Sequence, residues 1–417
     1  MKNMLIKKIK SSMKYLTTFI KWCLISIFVG IIGGLVGTGF HKSVDYVTEL
    51  RSVNSWFIFL LPLGGLLIVA IYKLCKVNEG TNRVIESVRT EKNVPVLMAP
   101  LIFVSTVITH LLGGSAGREG AALQLGGSIG YQVGKFLKLD TKDMHLIVML
   151  GMSSVFAALF GTPLTATFFA LEVISVGIIY YVALVPCVFS AIVACGIAKF
   201  FAVAPVHFQN ITVVQPTIIV IIKVIILSIL CAFVSICFCS LIKFFSKLAE
   251  EKIPNSYLRA FVGGCIIIIL TLAVGTYDYN GAGMNVITRA LSGDARPMDF
   301  LFKIVFTVIT ISAGFKGGEI IPTFFIGSTF GCVVGGLLGL NPAYGAAIGF
   351  VALFCGVANC PIASILLALE VFGAESIVVF AIVCGVSYMM SGYYGLYSSQ
   401  KIMYSKLEAK YININTK

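Results

Sequence analysis

Long apolar runs dominate the chain, and their lengths sort into two classes. Runs at about 16–40, 56–72, 95–112, 216–246, 260–275, 299–312 and 376–390 are long enough, or nearly so, to cross a hydrocarbon core about 30 Å thick at about 1.5 Å per residue. A second class at 121–136, 145–160, 163–178, 321–340, 345–356 and 361–371 is equally apolar, but Gly or Pro cuts each run near a length too short to span. These read as broken or re-entrant helices, which a bilayer tolerates only where the interrupted backbone is buried in protein or lines a cavity. The pattern predicts an all-α polytopic membrane protein of tilted, broken helices.

Composition agrees. Of 417 residues 58% are hydrophobic and 12% charged, against roughly 45–50% apolar in soluble domains, and the mean hydropathy is +0.98. The net charge of +13 is concentrated at the ends and in two loops, so it reads as membrane topology and not as nucleic-acid binding. Lys2, Lys7, Lys8, Lys10 and Lys14 at one end, and Lys401, Lys406, Lys410 and Lys417 at the other, predict cytoplasmic termini by the positive-inside rule. The basic loops 73–92 and 243–259 are expected inside and the loop His41 to Trp56 outside, in a plasma membrane. No small-residue cleavage site follows the basic N-terminus, so the first run reads as a retained helix. The 12 cysteines are scattered through apolar segments without CxxC spacing, which reads as buried small hydrophobes. His41, His110, His145 and His207 form no ligand spacing, so no metal or other cofactor is expected, and an intramembrane enzyme is disfavoured.

The second class of runs repeats. "GTPLTATFFALEV" (161–173) and "NCPIASILLALEV" (359–371) align Pro163 with Pro361 and Glu172 with Glu370. At the same spacing Gly151 meets Gly349, and upstream "SAGREGAALQLGGSIG" resembles "SAGFKGGEIIPTFFIGSTFG". The predicted organisation is a tail 1–14, membrane repeat one 15–202, an extracellular linker 203–216 without Lys or Arg, membrane repeat two 217–405 and a cytoplasmic tail 406–417. If repeat one begins inside and ends outside, repeat two runs the other way. That is an inverted-topology repeat, whose site is expected where discontinuous helices of both halves meet. The sequon at Asn210 is given no weight.

Three Gly-containing stretches lead into helix-like runs: "NEGTNRVIESV" from Asn78, "SAGREGAALQL" from Ser115 and "GFKGGEIIPTFF" from Gly314. Free N–H groups of a first helical turn and the positive end of the helix dipole bind anions, and Pro322 suits such a turn because its missing N–H would be unpaired anyway. Glu119 is the specific feature. A carboxylate inside a membrane is costly and functional by default; beside an anion site it competes with the anion when ionised and withdraws when protonated. Burial raises and a helix N-terminus lowers the proton affinity of such a group, and an Arg118–Glu119 ion pair or an N-cap is the alternative use. Glu172 and Glu370 occupy equal positions in the repeats, which suggests a shared structural task such as pairing with a neighbouring helix end. Lys316 and Glu319 read as a pairing group of the second-repeat loop. Tyr397 could place a hydroxyl at the inner mouth of a pore, with Tyr393 and Tyr394 as rivals on spacing.

At these residues the chain resembles the CLC family of anion channels and anion/proton antiporters, over about residues 15–405. "GREGA" resembles the family signature GREGP or GKEGP, "GGEIIP" resembles GxFxP, "EGTN" stands in the place of GSGIP, and "LYSS" resembles the stretch with the inner-gate tyrosine. The resemblance implies that Glu119 is the external gating glutamate exchanging anion and proton, and that Tyr397 is the inner-gate tyrosine. It places Thr81 at the anion-coordinating serine, with Asn82 one residue away, and Ile320 and Ile321 N–H at the central anion. Gly120 and Gly318, at the two helix starts, are expected to line the same site. It also implies a homodimer with one pore per subunit. Ala121 replaces the signature proline, Ile320 the phenylalanine, and Val173 stands where many chloride exchangers have an internal glutamate. These departures resemble the bacterial fluoride-exporting branch, and the expected function is fluoride/proton antiport that expels fluoride, with chloride/proton exchange or a chloride channel as the alternative. The expected partners are fluoride or chloride ions, protons, the lipid bilayer and a second copy of the chain, with no nucleic acid.

Overall fold

The structure, a computed structural model, describes residues 2–77, 80–90, 92–208 and 216–417, with backbone only for residues 2 and 4–11. The first half runs through α1 (Lys2–Val53), a 3₁₀ segment (Ser55–Leu60), α2 (Leu61–Leu74), α3 (Thr81–Ser87), α4 (Met98–Leu111), α5 (Glu119–Phe136), α6 (Thr141–Phe160), α7 (Pro163–Glu172) and α8 (Tyr181–Phe200). The second runs through α9 (Ile218–Lys252), α10 (Ser256–Val274), α11 (Met284–Leu291), α12 (Asp299–Ser312), α13 (Ile320–Leu337), α14 (Pro342–Ala358), α15 (Pro361–Phe372) and α16 (Ile377–Met390). The all-α polytopic architecture of broken helices is what the chain adopts. One small sheet is added: β1 (Ser175–Val176) pairs in parallel with β2 (Lys401–Tyr404), which pairs antiparallel with β3 (Tyr411–Asn415). The segment 406–417, expected as a tail, therefore folds back as a strand.

The halves correspond element by element. α5 and α13 are both 18 residues long and lie against α6 and α14. α14 is three residues shorter than α6, 17 against 20, which explains why the sequence spacing between equivalent residues narrows after the first helix pair. Both pairs close on glycine seams. Gly126 and Gly130 meet Gly151, and Gly327 and Gly331 meet Gly349, so close that a Cβ on either side would run into backbone. Small residues every fourth position let membrane helices approach to backbone contact.

That packing corrects several expectations. Runs 145–160 and 321–340 were expected to be too short, yet α6 (20 residues) and α13 (18 residues) are long enough to cross a bilayer; their glycines are packing positions, not breaks, and Asp140 caps α6 through the Asp143 N–H. Conversely α4, α12 and α16, in runs expected to span, have 14 helical residues each, about 21 Å at 1.5 Å per residue. The outer loop expected from His41 is instead helical to Val53, because α1 is one rod of 52 residues. Its length, about 78 Å, carries its polar end well past the apolar span. The basic loop expected from Lys243 is helical to Lys252. The 209–215 part of the linker, Asn210 included, lies outside the described residues.

Buried residues concentrate in α5, α6, α13 and α14, while large apolar side chains of α1, α8, α9 and α10, such as Leu24, Ile192, Phe233 and Ile269, are exposed on the periphery. A ring of helices thus presents an apolar outer face and encloses four helices, and the loops before two of them, α5 and α13, form the candidate site.

Candidate functional site

The loops before α5 and α13 meet at one point. Gly117 N–H donates to the Gly318 carbonyl (2.6 Å) and Gly318 N–H donates to the Gly117 carbonyl (2.7 Å), an isolated antiparallel bridge. Reciprocal bonds between equivalent residues imply a local two-fold axis, so the two helix starts converge from opposite sides. Glycine is required at Gly318, where a Cβ would run into the backbone N of Gly120, and a Cβ on Gly117 would lie 2.7 Å from Glu119 Oε2 and 3.0 Å from Ile321 Cβ. This bridge also corrects one expectation, since Gly318 spends its N–H on Gly117 and has no donor left for an anion.

Glu119 opens α5 and is 1% exposed. Its Oε2 accepts the Arg118 N–H at 2.9 Å, and the N–H of Ile321, from the other half, also faces the carboxylate. The Arg118 guanidinium lies 3.6 Å from Glu119 Oε1 and is shared with Asp45, which Nη1 contacts directly. The ion pair weighed as an alternative is therefore present, but divided between two carboxylates.

Ile320 and Ile321 are the first two residues of α13, where the first intrahelical bond runs from Thr323 N–H to the Glu319 carbonyl. Their amides are among those a helix leaves unpaired. Gly120, second in α5, turns its carbonyl to the Thr81 hydroxyl at 3.4 Å. Asn82 instead accepts the Ser399 N–H at 3.1 Å. Of the two candidates on α3, Thr81 is the one that reaches α5. Asn78 and Glu79 lie outside the described residues.

The three tyrosines also separate. Tyr393 shares a hydrogen bond with the Ser405 hydroxyl at 2.9 Å, and the Tyr394 carbonyl accepts from Asn359 at 2.8 Å. Tyr397 is 3% exposed, and its hydroxyl has no hydrogen-bond partner. It lies within Coulombic reach of both Glu319 and Glu119. Its loop is fixed by the Thr416 hydroxyl donating to the Tyr397 carbonyl (2.6 Å) and by Gln400 donating to Ala358 (2.9 Å).

Glu172 and Glu370 do share a task. Glu370 accepts from the N–H groups of Leu164 and Thr165, both at 2.9 Å, and from the Thr165 hydroxyl at 2.6 Å. Glu172 accepts from Ile362 N–H at 3.3 Å and Ala363 N–H at 2.8 Å. Each carboxylate, at the end of its own helix, caps the start of the equivalent helix in the other half. Lys316 and Glu319 lie within Coulombic reach of each other without a direct ion pair; the ammonium sits over the Tyr72 ring, 4.8 Å from its centre.

Sequence reasoning missed Asp45 and His41, because the end of α1 read as a loop. Their spacing of four, continued by Glu49, was the available signal for one helix face. It also missed Lys303, whose ammonium is fully buried and donates to the carbonyls of Tyr279 (3.1 Å) and Gly281 (2.7 Å); a lone lysine inside an apolar run marked it. Gln124, buried beside Gly80 with an unpartnered Nε2, gave no such signal.

A carboxylate held by helix-start N–H groups of both halves, beside further unpaired amides and a free hydroxyl, is a setting in which a small anion and that carboxylate can exchange places. The pattern described as "Voltage gated chloride channel" matches residues 64–392 of the chain. The chain belongs to this family, the CLC family. A CLC relative from Pseudomonas syringae pv. tomato, named "Chloride/fluoride channel protein", is 36% identical over 93% of this chain and 87% of its own length. Among solved structures, one titled "Crystal structure of a CLC-type fluoride/proton antiporter" superposes with a TM-score of 0.89 at 32% identity, covering 92% of this chain and 98% of that one. A "slow cyanobacterial Cl-/H+ antiporter" superposes at 0.77 with 20% identity over 89% and 94%, a likeness of CLC fold alone.

Proposed function

We propose that this CLC protein is a fluoride/proton antiporter that uses the proton gradient to expel fluoride from the cytoplasm. The observation that carries the reading is the Glu119 carboxylate, 1% exposed, seated against backbone N–H groups from the starts of both α5 and α13. Ionised, it occupies the position those donors offer to an anion. Protonated, it loses the charge that holds it there and yields the position. One group thereby carries a proton in one direction and clears the way for an anion in the other.

Fluoride is small and a strong hydrogen-bond acceptor, and a site of fixed donors stabilises such an ion without a full cationic side chain, which would bind too tightly for turnover. Thr81, Tyr397 and the amides of Ile320, Ile321 and Gly120 are its proposed ligands, while Gly318 contributes close packing. Both named relatives above 30% identity have fluoride in their names, and Ala121 and Ile320 resemble the pattern of the fluoride-exporting branch. We further assign both termini to the cytoplasm, the protein to the plasma membrane and its working form to a homodimer, with the repeat limits given above. Chloride/proton exchange is the second reading. Proteoliposomes loaded with fluoride or chloride separate the two: fluoride efflux accompanied by proton uptake supports the proposal, and equal coupled chloride efflux favours the alternative.

A further inference from the structure

A chain of side chains leads from the end of α1 to the gate. His41 Nε2 lies 2.9 Å from Asp45 Oδ2, the other oxygen of Asp45 contacts Arg118 Nη1, and Arg118 Nε lies 3.6 Å from Glu119 Oε1. The side chains of His41, Arg118 and Glu119 are 12%, 11% and 1% exposed, whereas that of Asp45 is 55% exposed. Asp45 borders a wide vestibule of about 530 Å³, whose other charged walls are Glu49, Arg51, Arg118 and Asp278. Of these, Asp278 is taken up by Arg289 and Arg296, and Arg51 donates to the His110 carbonyl. His110 and Lys303 are fully buried behind the vestibule, and Lys303 is spent on the Tyr279 and Gly281 carbonyls. Asp45 is thus the carboxylate that competes with Glu119 for Arg118.

We propose that Asp45, anchored by His41, is a positioning residue for the gate: by holding part of the Arg118 guanidinium it weakens that group's grip on Glu119, and so sets the pH at which the gate takes up its proton. This rests on the role proposed for Glu119. Without Asp45, Arg118 keeps one carboxylate partner, and the negative field that Asp45 adds beside Glu119 disappears. Both changes favour the ionised gate, so more acid is needed to open it. A nearby opposite charge moves a carboxylate by about 1–3 pH units, and the re-aimed fraction of one shared guanidinium corresponds to the lower end.

The test is fluoride-driven proton flux in proteoliposomes, with pH varied equally on both sides. In Asp45→Asn the midpoint of the pH profile moves about one unit toward acid, while Asp45→Glu, which keeps the charge, stays at the wild-type midpoint. His41→Gln, which loosens the anchor, moves in the same direction by less. A wild-type midpoint in Asp45→Asn, or a shift toward alkaline pH, overturns the proposal. Glu119→Gln separates the two layers: if it loses proton flux while Asp45→Asn keeps the wild-type midpoint, only the Asp45 inference fails; if it keeps proton flux, the gating role itself fails.

Discussion

The crossed capping of α7 and α15 makes a quantitative prediction. In Glu370→Ala the N–H groups of Leu164 and Thr165, now bonded at 2.9 Å, lose their acceptor. Thr165 is buried and its orphaned donor costs about 1–3 kcal/mol, while Leu164 is exposed and adds little, so the expected loss is about 2 kcal/mol. Glu172→Ala, which frees the N–H groups of Ile362 and Ala363, should cost about as much on the same basis. Glu370→Gln keeps one acceptor oxygen and should lose about half. Thr165→Val removes a hydroxyl bonded at 2.6 Å to Glu370, worth about 1 kcal/mol in wild type, and should cost close to nothing in Glu370→Ala. The assay is thermal unfolding in detergent, where about 2 kcal/mol spread over 417 residues corresponds to roughly 2 °C by the per-residue entropy of unfolding. The decisive quantity is the coupling in the Glu370/Thr165 double-mutant cycle. Zero coupling, or a Gln variant as damaged as the Ala variant, would refute the reasoning.

Tyr397→Phe removes a hydroxyl that has no protein partner; it should leave the unfolding temperature unchanged or raised while fluoride flux falls at least several-fold, and an unchanged flux argues against Tyr397 as a ligand. Gly117→Ala forces a Cβ to within 2.7 Å of Glu119 Oε2, so coupled transport should be lost, and wild-type flux in this variant would show that the helix-start loops can move apart. Lys303→Met leaves the carbonyls of Tyr279 and Gly281 without a donor at about 1–3 kcal/mol each; unfolding at the wild-type temperature would mean that water reaches them.

Much of this was legible in the chain because membranes impose a strong code. The apolar runs, the paired "ALEV" segments and the Gly-flanked Glu119 reported a duplicated helical protein, and the symmetry of Glu172 and Glu370 correctly announced a shared structural task. Glycine was the ambiguous letter. At Gly117 and Gly318 it marks a break where two backbones meet, but at Gly126, Gly151, Gly327 and Gly349 it marks a seam inside uninterrupted helices, and a single sequence does not distinguish them. The end of α1 was misread for a related reason: His41, Asp45 and Glu49 looked like a polar loop, although their spacing of four describes one face of a helix that outlasts the membrane. What could not be read at all was Arg118 shared between Asp45 and Glu119, since those groups come from segments about seventy residues apart.

The central claim is that one carboxylate carries both currents. It is tested by reconstituting Glu119→Gln, which cannot ionise, and recording fluoride and proton fluxes simultaneously. Proton movement should vanish while any fluoride flux that remains becomes independent of the proton gradient. Proton-coupled fluoride transport at the wild-type ratio in this variant would contradict the account.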